Sequence, residues 1–145
     1  MTDNKDLFFD ENFVSFDGEG QVSKKKKKKV GGGAFEAFNL SPNVFKAVKQ
    51  KGYNLPTPIQ RRSIPAVLEG HNIIAMARTG SGKTAAFVIP IVEKLKQHSK
   101  IVGARCVILS PTREIAMQTA QYFKAIAKFT DLTHALIVGG NDFEN

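Results

Sequence analysis

The chain has 145 residues, 42% of them apolar, enough for one domain with a real core. Its single cysteine, Cys106, excludes a disulfide framework and a cysteine-built metal cluster. The net charge is +8, yet residues 1–23 hold six acids against Lys5 alone, so a basic domain behind an acidic tail points to a polyanion partner.

No stretch approaches the ~20 apolar residues of a membrane span, and no apolar signal-peptide core follows Met1. A soluble intracellular chain with no membrane partner is expected. Residues 1–34 read as a disordered tail, acidic and then lysine-rich, ending in Gly31-Gly32-Gly33. Phe8, Phe9, Phe13 and Phe16 interrupt the acids, as in a docking segment or a plain solvated tail. Lys24 to Lys29 form either a nuclear address or RNA-phosphate contact, or a self-repelling linker.

Ordered texture begins at Phe35. Ser41-Pro42 starts a helix with Val44, Phe45 and Val48 on one face and Gly52 at its end. In "GYNLPTPIQ" (residues 52–60), Thr57 and Gln60 match the capping box S/T-x-x-E/Q, with Pro58 on the first helical position. The Gln60 amide also offers a donor and an acceptor side by side, which suits an adenine edge. This second helix runs toward Gly70, and Pro65 is expected to kink or split it.

A short apolar run, Ile73 to Met76, predicts a buried strand, followed by a loop over 77–82 and a helix from about Lys83 to Gln97, bent at Pro90. "CVILS" (106–110) predicts a second buried strand, with Cys106 an inert buried thiol. Pro111-Thr112 breaks that strand and caps a helix to about Lys128, with Ile115, Thr119, Tyr122, Phe123 and Ile126 inward. "ALIVGG" (135–140) predicts a third strand. Near-continuous apolar strands between helices predict an α/β fold, its parallel sheet covered on both faces. Ligands in such sheets bind beyond the carboxyl ends of strands, where loops 77–82, 110–113 and 139–140 lie.

"ARTGSGKT" runs from Ala77 through Arg78, Thr79, Gly80, Ser81, Gly82 and Lys83 to Thr84. Between a strand and a helix it is a phosphate-binding loop. Backbone N–H groups converge on a phosphate there, and a Cβ at Gly80 or Gly82 would block the approach or the required dihedrals. Lys83 would reach the β/γ-phosphates and the Thr84 hydroxyl would hold Mg2+. In "SPTREIA", Thr112 and Arg113 stand at a helix N-terminus, either as cap and solvated neighbour or as contacts to a nucleic-acid phosphate. Gly139-Gly140 either turns the chain or lets another backbone approach.

Together these segments resemble the DEAD-box RNA helicases from Phe35 to about Gly140. "GYNLPTPIQ" looks like the family's Q motif, with Phe35 at the place of its upstream aromatic. "ARTGSGKT" is similar to motif I, which normally begins with alanine. "PTREIA" resembles motif Ia, with Ile115 where leucine is commoner, and Gly139-Gly140 match a glycine doublet. Residues 35–145 would then be the N-terminal part of the first RecA-like P-loop domain. The resemblance implies ATP and Mg2+ as cofactors. Gln60 would bond the adenine, Tyr53 would stack on it and Phe35 would support the pocket. Pro111, Thr112, Arg113, Gly139 and Gly140 would contact the RNA backbone without reading sequence.

"AMARTGSGKT", "LSPTREIAMQT" and "PTPIQRRSIP" look most like a nucleolar subgroup acting in large ribosomal subunit assembly. That implies a nuclear, nucleolar location (otherwise cytoplasmic), pre-ribosomal RNA as partner, and pre-ribosomal proteins met through the tail. The family's Asp-Glu-Ala-Asp and Ser-Ala-Thr motifs and its second domain would lie beyond Asn145, so no catalytic base is named here. The expected activity is ATP-driven RNA binding and local duplex unwinding for a longer protein, with the 145 residues alone inactive. The alternative is a non-catalytic RNA- or pre-ribosome-binding piece.

Overall fold

The computed structural model describes residues 6–9, 34–96, 99 and 103–139. The lysine run, Phe13, Phe16 and Gly140 lie outside them. In chain order the elements are strand β1 (Asp6–Phe9), a 3-10 turn (Phe35–Phe38), helices α1 (Pro42–Gln50) and α2 (Pro58–Leu68), strand β2 (Asn72–Ala75), and helices α3 (Lys83–Leu95) and α4 (Arg113–Ile126).

Helix starts follow their local chemistry. Pro42 and Pro58 occupy first-turn positions, where the missing N–H costs no intrahelical bond. Thr57 and Thr112 cap α2 and α4 by accepting from the N–H groups of Gln60 and Ile115. Neither internal proline splits its helix: α2 runs through Pro65 and α3 through Pro90. Pro90 is fully buried, so packing outweighs the lost backbone bond.

The core lies among the helices. α2 packs on α3, α3 on α4, and α1 on both α3 and α4. Val44, Val48, Ile64, Val88, Ile89, Val92 and Ile126 are its fully buried branched aliphatic members. Fully burying such side chains is worth roughly 1.5–3 kcal/mol each.

The sheet differs from the expectation of three strands. β1 pairs with β2 in parallel, Asp6 opposite Asn72 and Phe9 opposite Ala75, so the tail residues 6–9, expected to carry no strand, supply one. Residues 106–110 and 135–138 are not strands. A strand exists through its neighbour's hydrogen bonds, and among the described residues nothing pairs with either segment. Val107, Leu109 and Ile137 are exposed at 72%, 90% and 78%. Cys106 is likewise exposed, not the buried thiol expected from its apolar neighbours. Nor is β2 covered on both faces: Ile73 and Ala75 are half-buried against α2, but Ile74 is exposed. Ile115, expected inward on α4, is exposed too, while Thr119, Phe123 and Ile126 are buried.

One buried charge ties the first helix to the core. Ser41 does not cap α1 with its own side chain. Instead Glu93 of α3 accepts from the Ser41 N–H at 2.9 Å and the Ser41 hydroxyl at 2.8 Å, and it pairs with Lys96. A carboxylate at a helix N-terminus satisfies orphan donors and complements the helix dipole. Burial pushes the Glu93 carboxyl up, but the bonds from Lys96 and Ser41 outweigh it and hold the pKa below its ordinary 4.5. The stability it contributes is therefore present above that ordinary value and lost as pH falls through the depressed one. Glu93→Ala is expected to cost about 1–3 kcal/mol in urea unfolding at pH 7. The loss should shrink in acid, and an equal loss at both pH values would refute the assignment.

Candidate functional site

Loop 76–82 carries the chain from β2 into α3. Gly80 and Gly82 both adopt left-handed backbone, with φ of +81° and +86°. They differ in surroundings. A Cβ on Gly80 would meet nothing within 4 Å, so only its dihedral calls for glycine. A Cβ on Gly82 would lie 2.4 Å from the Gln60 Nε2. At Gly82 the close neighbour is thus the Gln60 amide, within the protein itself.

The Lys83 ammonium folds back over the loop. It donates to the Ala77 carbonyl and, at 2.9 Å, to the Arg78 carbonyl. The Ser81 N–H closes the turn onto the Arg78 carbonyl at 3.2 Å. The Ser81 hydroxyl is buried and finds no hydrogen-bond partner among the described residues. A buried hydroxyl beside an ammonium, at a helix N-terminus, fits a phosphate oxygen. Thr84, half-buried on the first turn of α3, stands next to them. Arg78, Thr79 and Gly80 are exposed on the outer side of the loop.

Gln60 is 1% exposed and joins this loop to the second helix. Its Oε1 accepts from the Thr57 N–H at 2.9 Å, and its own N–H donates to the Thr57 hydroxyl at 3.5 Å, so the capping box is complete. Its Nε2 also donates to the Gly82 carbonyl at 3.2 Å. One lone pair of Oε1 and one hydrogen of Nε2 remain uncommitted, the same donor–acceptor pair that an adenine edge requires.

Beside this helix stands an aromatic row. Phe35 is fully buried, and half-buried Tyr53 stacks on it with centroids 6.1 Å apart and planes 29° apart. Tyr122 of α4 lies near Tyr53 as well, with centroids 6.2 Å apart and planes tilted by 33°. The sequence placed Tyr122 on the inward face of α4 but had no signal linking it to Tyr53.

The second loop reaches α4. The Thr112 hydroxyl accepts from the Ile115 N–H at 3.3 Å. Glu114 is held below its ordinary pKa first by its own backbone N–H and then by the Thr112 hydroxyl. Thr112, Arg113 and Gly139 are exposed. A mainly apolar cleft of about 320 Å³ joins the two loops, lined by Lys83 and Thr84 on one side and Ser110 and Pro111 on the other. Thr112, Arg113 and Gly139 do not line it. Among the described residues no three His, Cys, Asp or Glu cluster as metal ligands, and no helix is long and apolar enough to cross a membrane.

The fold recurs in solved proteins. A DEAD box protein from Methanococcus jannaschii superposes with a TM-score of 0.68 at 42% identity, over 74% of this chain and 29% of that one. The Saccharomyces cerevisiae Dbp5 structure bound to RNA and ADP BeF3 gives a TM-score of 0.70 at 30% identity, over 79% of this chain and 29% of that one. Both are RecA-like helicase domains, and this chain shares their fold. In sequence, the chain is 54% identical to ATP-dependent RNA helicase DDX54 of Mus musculus over 86% of its own length and 14% of that protein. It is 51% identical to DEAD-box ATP-dependent RNA helicase 29 of Oryza sativa subsp. indica over 88% of its length and 15% of that protein. The chain thus spans about one-seventh of these relatives. The DEAD/DEAH box helicase model matches residues 57–145, from the cap of α2 through both loops. With fold and matched residues in agreement, the chain belongs to the DEAD/DEAH box helicase family.

Proposed function

We propose that these residues supply the ATP cradle and part of the RNA surface of an ATP-dependent RNA helicase. The observation that carries this reading is the Gln60 amide bonded to the Gly82 carbonyl. It places a base-reading side chain directly against the phosphate loop, as a nucleotide with base at one end and phosphates at the other demands. Tyr53 offers the adenine a stacking face, backed by Phe35. Ala77 to Gly82 present backbone N–H groups to the phosphates, and the Lys83 ammonium exchanges its carbonyl partners for phosphate oxygens. Thr84 would hold Mg2+, which supplies charge neutralisation on the phosphates.

Pro111, Thr112, Arg113, Gly139 and Gly140 are proposed to meet RNA backbone, giving sequence-independent binding. None of the 145 residues forms an Asp-Glu-Ala-Asp run, so this chain alone is proposed to bind nucleotide without turnover. The run Lys24 to Lys29 and the likeness of "AMARTGSGKT" and "LSPTREIAMQT" to the nucleolar subgroup support a nucleolar role on pre-ribosomal RNA, with pre-ribosomal proteins met through the tail.

The test is equilibrium ATP binding. Lys83→Ala removes a charge-assisted bond worth about 1.5–3 kcal/mol and should weaken ATP roughly ten- to hundredfold. Unchanged affinity would remove the cradle reading.

A further inference from the structure

We infer that Tyr122 is a positioning residue for the nucleotide base, acting through Tyr53. The inference rests on the reading that Tyr53 stacks on adenine. Tyr53 lies on the loop between α1 and α2, outside any helix. Its described backbone anchor is a single hydrogen bond, its N–H to the Val48 carbonyl at 3.3 Å. A loop residue held so lightly needs side-chain packing to fix its ring plane. Two neighbouring rings provide it, Phe35 stacked at 6.1 Å and Tyr122 tilted at 6.2 Å.

Tyr122 is well placed for this task. It follows Thr119 and precedes Phe123 and Ile126, all buried, so its helix is anchored in the core. The Lys51 ammonium lies 5.5 Å from the centre of its ring and helps hold it. Its hydroxyl is buried beside the Tyr53 side chain. Burial first, and then the neighbouring Tyr53, push that hydroxyl's pKa far above the usual tyrosine value. The role proposed for Tyr122 is that of its ring. Phenylalanine should serve equally well, which a hydrogen-bonding role would not allow.

The arrangement also makes base affinity answer to α4, whose first turn carries Arg113. A displacement of that helix moves the ring that sets Tyr53.

The test measures binding of MgATP and of inorganic tripolyphosphate to this chain by calorimetry, in wild type and in Tyr122→Phe, Tyr122→Leu, Tyr53→Ala and the double variant Tyr53→Ala/Tyr122→Leu. Leucine fills the space without a ring, which protects the core. Tyr122→Leu should weaken ATP roughly three- to tenfold, the size of an aromatic pair, and leave tripolyphosphate unchanged. Tyr122→Phe should bind as wild type. The double variant should bind ATP no worse than Tyr53→Ala alone. If Tyr53→Ala weakens ATP while Tyr122→Leu does not, this inference fails and the base-stacking reading stands. If Tyr122→Leu weakens both ligands equally, the residue is merely structural and the inference also fails. If Tyr53→Ala leaves ATP affinity intact, the base-stacking reading itself falls and takes the inference with it.

Discussion

Gly82→Ala is expected to destabilise the chain by about 2–4 kcal/mol and to abolish measurable ATP binding. Two costs combine. An L-residue at φ +86° pays roughly 1–2 kcal/mol for left-handed backbone. The new methyl would also stand 2.4 Å from the Gln60 Nε2. That amide is 1% exposed and already bonded at both ends, so it cannot swing aside without giving up the capping box, at about 1 kcal/mol more. Gly80→Ala is the natural control. Gly80 has nearly the same dihedral and open space around it, so only the first cost applies. Urea midpoints for the two variants isolate the close approach, and equal losses would show that Gln60 yields freely.

Gln60→Ala is expected to erase preference for adenine over guanine. A bidentate amide–adenine pair is worth about 1–3 kcal/mol of discrimination, so ATP affinity should fall roughly ten- to hundredfold while GTP affinity changes little. The same variant loses half of the capping box and a bond to the Gly82 carbonyl, so it also loses stability. Thr57→Ala separates the two roles. It removes the hydroxyl that receives the Gln60 N–H but leaves the amide in place. It should cost about 1 kcal/mol of stability and leave the ATP-to-GTP ratio intact. Competition binding against both nucleotides decides the matter, and an equal loss for both in Gln60→Ala would reduce Gln60 to a cap.

What the sequence disclosed was local. Ser41-Pro42, Thr57-Pro58 and Pro111-Thr112 announced three helix starts, because capping chemistry acts within one turn. Gly82-Lys83-Thr84 announced a loop entering a helix for the same reason. Contacts between distant segments were not legible. Gln60 meets Gly82 across 22 positions, and Glu93 meets Ser41 across 52. Neither pair follows a period. Strands 106–110 and 135–138 failed for a related reason: apolar, β-branched composition licenses a strand, but only a partner completes it. Exposure of Cys106 follows from that failure. Helices α2 and α3 run unbroken through Pro65 and Pro90, since burial of the surrounding face holds each together against a local rule. The tail's strand opposite Asn72–Ala75 had no sequence signal, four residues being too short to show an alternation.

The folded-back ammonium of Lys83 has a consequence for selectivity among anions. In this state its charge is already answered by the Ala77 and Arg78 carbonyls. Any anion that enters has to win that exchange, and its apparent affinity is reduced by the fraction of time the loop stands ready. Free orthophosphate brings nothing to the contest but its own charge. A nucleotide brings a base as well, and if Tyr53 and Gln60 hold it as proposed, that contact would offset the cost of prising the loop open. Such a loop would disfavour a small anion such as orthophosphate relative to a ligand that gains contacts at both ends.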